Sequence, residues 1–331
     1  MTLDRRHVLH GAAGWAASAA AALALPAWAQ AKPWPQRSVR FVVPFAPGGS
    51  SEIIARATAF ELTKSLGQTV YVENKPGAAG NVAMQEVARS DDQHTLILGH
   101  IGTLAVNPYM FDRLPYDPNR DFKPVSLLAK VPSLYLVHPD LPVKNLREFV
   151  EYVKKRPGQL SYGSAGNGGS AHLAGALMAT MTDTKMVHVP FRGNAPALTE
   201  VMAGRVSFMF YPMIGIAGHV ADKRLRVLAV GSSKPMPDFP GVPTMDASGF
   251  PDFEQTAPWV GMLAPAGTPK AIVDQLNAAL KKALAQPEII KRMKDLGASP
   301  IGDTPDEFRA FLVKDSERWA RVIKASGIKA D

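Results

Sequence analysis

Residues 39–56 read VRFVVPFAPGGSSEIIAR. Val39 to Phe45 is a short run rich in β-branched and aromatic residues, punctuated by Pro47, which is the pattern of a strand. From Ser51 to Leu66 the apolar residues Ile54, Ala57, Leu62 and Leu66 recur near every 3.6 positions, and Gly67 supplies the stop of a helix. Between the two, Gly48 and Gly49 let the chain turn sharply and bring bare backbone N–H groups to the surface. The start of the helix adds unpaired donors and about half a positive charge. Strand, Gly-Ser loop and helix start in that order form a cradle for an anion. Taken alone, the loop also reads as a plain N-cap, with Ser50 or Ser51 satisfying its own helix.

The same alternation continues outward. Thr69 to Glu73, Thr95 to Gly99, Leu134 to Val137, Met186 to Phe191, Leu225 to Gly231 and Trp259 to Ala264 read as further strands. Thr268-Pro269 opens a helix that turns Ile272, Leu276, Leu280 and Ala283 inward. Thr304-Pro305-Asp306-Glu307 is a capping box ahead of another helix, carrying Phe308, Phe311, Leu312, Trp319, Val322 and Ile323. This pattern argues an α/β fold with mainly parallel sheets, whose ligands sit at the carboxyl ends of strands. No long linker interrupts it, so two lobes joined by paired crossings fit better than domains in series.

The size agrees. The chain has 331 residues, 46% apolar and 20% charged, too long for one ordinary domain and able to bury two cores. The absence of cysteine excludes disulfide frameworks, thiolate zinc sites, iron–sulfur clusters and thiol nucleophiles. The balance of 37 Lys+Arg against 29 Asp+Glu gives +8, which suits an acidic partner and is also ordinary surface composition. No Lys/Arg-rich block is interleaved with aromatics, so nucleic acid is not the expected partner.

Residues 1–29 read as an export signal. Arg5 and Arg6 precede an Ala/Leu-rich stretch, and Ala27-Trp28-Ala29 is a small-x-small cleavage site, with a second possible cut after Ala31. The apolar stretch, about 15 residues, is short of the roughly 20 that span a bilayer. Arg5-Arg6-His7-Val8-Leu9 resembles a twin-arginine signal, and an ordinary secretory signal carrying two arginines is an equal reading.

A second Gly-Ser loop shifts the balance toward ligand binding. Leu160-Ser161-Tyr162 ends a strand, and Gly163-Ser164-Ala165-Gly166-Asn167-Gly168-Gly169-Ser170 leads into a helix with Leu173, Leu177, Met178 and Met181. Two such loops in different halves suggest two helix starts facing one anion across a cleft. Neither is a nucleotide motif, since no lysine follows the glycines and their spacing is not Gly-x-Gly-x-x-Gly. Pro76-Gly77-Ala78-Ala79-Gly80-Asn81 is another turn into a helix. Val189-Pro190-Phe191 repeats Val43-Pro44-Phe45, again ahead of a glycine turn. Arg192 in that turn either pairs with a carboxylate or stands solvated.

Enzyme chemistry fits poorly. A Gly-x-Ser-x-Gly elbow fails because Tyr162 precedes Ser164 where glycine belongs. A hydrolase using Ser164 and His172 is the remaining enzymatic alternative. His94 and His100 lie about 20 Å apart on one strand and cannot share a metal ion. No catalytic residue, metal site or cofactor is therefore expected.

Over nearly its whole length past the signal the sequence resembles the Bug family, the periplasmic receptors of tripartite tricarboxylate transporters. The resemblance rests on seven ordered segments: VPFAPGGSSEIIAR (43–56), ENKPGAAGN (73–81), LPYDPNRDFKPVSLL (114–128), YGSAGNGGSAHL (162–173), VPFRGNAPAL (189–198), LRVLAVGSS (225–233) and LAPAGTPKAIVDQLN (263–277). It implies a two-lobed periplasmic binding protein of type II-like fold. One lobe takes residues 32–128 plus 258–331 and the other 129–257, each a mainly parallel sheet flanked by helices. It further implies a monomer that closes on a small organic acid and hands it to a membrane permease, a ligand-sensing role toward a two-component system being the alternative. Carried over by position, Gly48, Gly49, Ser50 and Ser51 form one clasp with Asn81 beside it. Ser164, Ala165, Gly166, Gly169 and Ser170 form the other, and Phe191, Arg192 and Gly193 line a wall. Three positions depart from the family pattern. Glu52 stands for a usual Asp, Phe191 for a usual Tyr, and Tyr211 for a frequent Asp. If Tyr211 faces the cleft, the loss of that acid favours aromatic or hydroxy/keto carboxylates over amino acids.

Overall fold

The computed structural model of the chain describes residues 33–295 and 297–326. The export signal expected over residues 1–29 lies outside the described residues. The secondary structure belongs to the compact unit that starts at Arg37.

Along the chain come β1 (Val39–Val43), α1 (Ser50–Leu66), β2 (Val70–Asn74), α2 (Asn81–Ala88), β3 (Thr95–His100), α3 (Asn107–Met110) and β4 (Phe122–Lys130). Then follow β5 (Ser133–Val137), α4 (Leu146–Lys154), β6 (Ser161–Ser164), α5 (Ser170–Thr182), β7 (Val187–Pro190), α6 (Asn194–Met202), β8 (Phe208–Pro212), α7 (Ala217–Ala221) and β9 (Arg226–Val230). The last are β10 (Trp259–Pro265), α8 (Lys270–Leu284), α9 (Pro287–Asp295), β11 (Ser299–Pro300) and α10 (Pro305–Ser326).

The strands form two sheets, in the orders β11-β4-β10-β3-β1-β2 and β7-β6-β8-β5-β9. The α/β class is as expected, but the pairing within each sheet is mixed rather than mainly parallel. β1 runs parallel to β2 and β3, while β10 is antiparallel to both β3 and β4. β6 runs parallel to β7 and β8, while β5 is antiparallel to β8 and β9. The cause is connectivity. Parallel neighbours need a crossover helix between them, as α1 supplies from β1 to β2 and α5 from β6 to β7. β4 instead passes straight into β5 of the other sheet through Val131 and Pro132, and β10 returns from it. The two crossings touch where the Val131 amide donates to the Pro258 carbonyl at 2.9 Å.

Each sheet has its own buried cluster. The first gathers Ile97, Phe122, Trp259, Phe308 and Trp319, and the second Tyr135, Phe149, Tyr162, Phe208 and Phe253. Tyr135 stacks on Phe208 with centroids 5.2 Å apart, an aromatic core of large apolar area. Leu173, near the start of α5, packs with Val106 and Met110 in the first cluster, so α5 enters the other sheet's core. The capping box before α10 is formed, the Thr304 amide donating to Glu307 Oε2 at 2.8 Å and the Glu307 amide to Thr304 Oγ1 at 3.2 Å.

Candidate functional site

The first loop ends in an uncapped helix. Gly49 is the N-cap of α1 in extended conformation (φ −86°, ψ 167°), and no side chain caps the helix. The plain-cap reading of Ser50 and Ser51 therefore fails. The Ser50 hydroxyl accepts instead from Asn194 Nδ2 at 3.3 Å, a residue at the start of α6. The buried Glu52 carboxylate takes the Gly48 amide at 2.5 Å and the Arg56 Nε at 2.8 Å. Gly48 is thus spent inside the loop and its amide is not available to a ligand. Glu52 and Ile53 both donate to the Gly49 carbonyl, at 3.1 and 3.2 Å. Among the described residues, the amides of Ser50 and Ser51 have no protein acceptor.

The second loop repeats the design. Gly169 is the N-cap of α5 (φ −70°, ψ 159°), again with no side-chain cap. Its neighbours are tied down internally. The Gly166 amide donates to Ser164 Oγ at 3.1 Å, the Gly168 amide to His172 Nδ1 at 3.1 Å, and the Gly169 amide to the Gly166 carbonyl at 3.2 Å. Among the described residues no acceptor meets the amides of Ser170 and Ala171.

Ser164 pairs with His188 rather than with His172: its Oγ lies 2.6 Å from His188 Nε2 and 3.0 Å from the Gly166 carbonyl. One proton arrangement satisfies every contact. The hydroxyl donates to Gly166 O and accepts from both the Gly166 amide and His188 Nε2–H. Nε2 then carries the proton a general base would have to accept, and burial with the neighbouring His172 pushes His188 down to about 3. The His172 and His188 rings stack 3.9 Å apart. Ser164 is fully buried. The pair is a brace for the loop, not an activated nucleophile.

Both helix starts face one cavity. Ser50 and Ser51 line it from one side and Ala165, Gly169, Ser170 and Ala171 from the other, with Phe45, His100 and Trp259 among its walls. It offers about 30 Å³ to the centres of water-sized molecules, room for about two waters. A wider chamber of about 320 Å³ adjoins it, lined by the Gly77–Gly80 turn, Phe111, Asn167, Phe191 and Arg192, and Ala165 borders both. The halves are in contact, since the Ala46 amide donates to the Arg192 carbonyl at 2.8 Å.

The remaining expected residues divide. Gly166, Phe191 and Arg192 line the wider chamber, and Arg192 is exposed with no carboxylate partner among the described residues. Gly193 packs against Ala46. Asn81 is buried in a polar knot, its Oδ1 accepting from Asn107 Nδ2 at 2.7 Å and Tyr116 OH at 3.0 Å. Tyr211 is buried in β8 and lines neither chamber, and burial pushes its hydroxyl up to about 12. The inference drawn from its replacing an acid in the cleft loses its basis. His100, Asn194, Ala171 and Trp259 were not singled out from sequence as site residues. No group of three or more His, Cys, Asp or Glu suited to a metal occurs among the described residues. No described helix is long and apolar enough to cross a membrane.

The family described as tripartite tricarboxylate transporter family receptor matches residues 54–328. The periplasmic binding protein BugD is 35% identical, with a TM-score of 0.85 covering 89% of this chain and 99% of its own. A Rhodopseudomonas palustris protein solved with adipate is 34% identical, with a TM-score of 0.86 over 89% and 99% of the two chains. MatC from Rhodopseudomonas palustris, with bound malate, is 36% identical, with a TM-score of 0.83 over 88% and 100%.

Proposed function

Since the chain belongs to the tripartite tricarboxylate transporter receptor family, we propose that it binds a small di- or hydroxycarboxylate between its two halves in the periplasm and presents the closed form to a membrane permease. The observation that carries this reading is the single cavity shared by the uncapped starts of α1 and α5. The lobes are residues 32–128 with 258–331, and 129–257. A carboxylate there accepts from the amides of Ser50 and Ser51 on one side and Ser170 and Ala171 on the other, directly or through the two waters the cavity admits. Gly49, Ala165 and Gly169 let the backbone approach, while Phe191 and Arg192 flank the approach through the wider chamber.

Magnitudes require both helix starts. Micromolar affinity needs about 8 kcal/mol net. Hydrogen bonds to a charged group contribute about 1.5–3 kcal/mol each, against an association cost of about 4–15 kcal/mol. The two or three donors of one helix start fall short, so binding and closure are coupled. Relatives solved with adipate and malate point to this ligand class.

The test is mass spectrometry of small molecules that co-purify with the protein, followed by calorimetric titration of the stripped protein with adipate and malate. A bound organic acid recovered unchanged, with micromolar or tighter affinity, is expected. Binding of neither acid and no co-purifying acid would overturn the reading.

A further inference from the structure

The narrow cavity holds one polar group that neither helix start explains. His100, at the end of β3, is 6% exposed, and its ring stands in the cavity wall beside Phe45, with centroids 4.6 Å apart. Its Nδ1 accepts from the Gly102 amide at 3.0 Å. An amide nitrogen cannot accept, so Nδ1 carries the lone pair and the proton of the neutral ring sits on Nε2. That Nε2 is buried and has no hydrogen-bond partner among the described residues. It is turned toward Gly80, where a built Cβ would stand 3.4 Å from it. Gly80 (φ +89°) lines the wider chamber, as does Pro44, whose Cβ flanks the same spot. Gly80 itself places no side chain over the nitrogen, and only the Thr103 methyl and the Pro44 Cβ, 2.8 and 3.2 Å from the same built position, close the spot between the two chambers.

A buried donor without an acceptor carries the full cost of its lost hydration. A packing histidine avoids that cost by giving its ring N–H an acceptor, as His188 Nε2 finds in Ser164 Oγ at 2.6 Å within the other half. We infer that His100 is a specificity-determining residue whose Nε2–H donates to an oxygen of the bound carboxylate, and that the closed form selects ligands presenting an acceptor at that point. This rests on the carboxylate-receptor reading above. Burial holds the imidazole neutral, its value lowered to about 3, so the contact is a directional donor and not a charge. An ammonium group at that point would leave two donors facing each other, so amines are rejected there.

Two substitutions separate this role from a purely structural one. In His100→Asn the amide oxygen reaches the place of Nδ1 and keeps the Gly102 bond, while nothing reaches the place of Nε2. In His100→Gln the side-chain amide reaches toward Nε2 and gives up Gly102. Calorimetric titration with adipate and malate is expected to show a loss of about tenfold or more for His100→Asn and a smaller loss for His100→Gln. The reverse order, with His100→Gln the weaker binder, or equal affinity for His100→Asn and the wild type, would overturn the inference while leaving the receptor reading intact. A wild type that binds neither acid overturns both.

Discussion

The amide of Ala46, in the loop between β1 and α1, donates to the carbonyl of Arg192, in the loop between β7 and α6, at 2.8 Å. The two residues follow the repeated Val-Pro-Phe segments at 43–45 and 189–191. The repeat places equivalent strand-to-helix loops in the two halves, and this hydrogen bond joins them edge to edge. Asn194 and Ser50, a few residues further on, make the adjoining contact between helix starts.

Gly193 makes that approach possible. Its φ of +151° is rare for residues with a side chain, and a Cβ there would stand 3.2 Å from the Ala46 nitrogen, a backbone atom with little room to yield. Gly193→Ala is expected to weaken ligand affinity about fivefold to tenfold by disfavouring closure. With saturating ligand, small-angle scattering should give a larger radius of gyration than for the wild type. Affinity and radius both unchanged would show that closure does not pass through this contact.

Stability should fall on mild acidification, before carboxylates titrate. His100 and His188 are both held down to about 3, chiefly by burial. A histidine with a depressed value in the folded state contributes stability that is present above its ordinary value of 6.5. That contribution is lost as pH falls toward 3, because the unfolded chain takes up the proton first. His100 alone sets a limiting slope of about 1.4 kcal/mol per pH unit within that window. Glu73, lowered by its bond to Arg40, and Glu86, lowered by Lys75, add losses in the same direction below 4.5. Urea unfolding between pH 7.5 and 5 should show this slope, shallower in His100→Asn by about one proton. Identical slopes would mean that His100 is protonated in the native state.

Gly175, within α5, packs on the Tyr162 ring, where a Cβ would stand 2.3 Å from Cε2. That ring has no free space, lying 5.0 Å from His188 and 5.5 Å from Phe208 between centroids. Alanine gains about 1 kcal/mol of helix propensity, but overpacking costs about 1–3 kcal/mol. Gly175→Ala is therefore expected to lower the midpoint of thermal unfolding. A raised midpoint would place the Tyr162 ring elsewhere.

Local chemistry was legible in the sequence where it is decided locally. The capping box at Thr304 and Glu307 and both strand–glycine–helix loops appear as read. Long-range pairing was not. β4 carries Pro124 and gave no strand pattern, though it is buried on both sides of its run in the first sheet. Strand direction depends on which sheet the chain enters after Lys130, which no window of residues reports. Every residue of β8 is buried, so alternation was silent on where Tyr211 points. His100 resembles any core histidine until the Gly102 amide fixes its tautomer. Gly48 had the composition of a ligand donor, but Glu52, four residues on, claims its amide.

The decisive measurement removes single amides while sparing the helices. Ser50 and Ser170 are the first residues of α1 and α5, where proline is tolerated, and each follows a glycine in the extended conformation that proline requires before it. Calorimetric titration of Ser50→Pro and Ser170→Pro with adipate or malate should show a loss of about tenfold or more in each, with helical circular dichroism retained. The companions Ser50→Ala and Ser170→Ala, which keep the amides, should stay within about threefold of the wild type. Proline variants that bind like the wild type, or alanine variants that lose as much as proline, would contradict a clasp made of backbone donors.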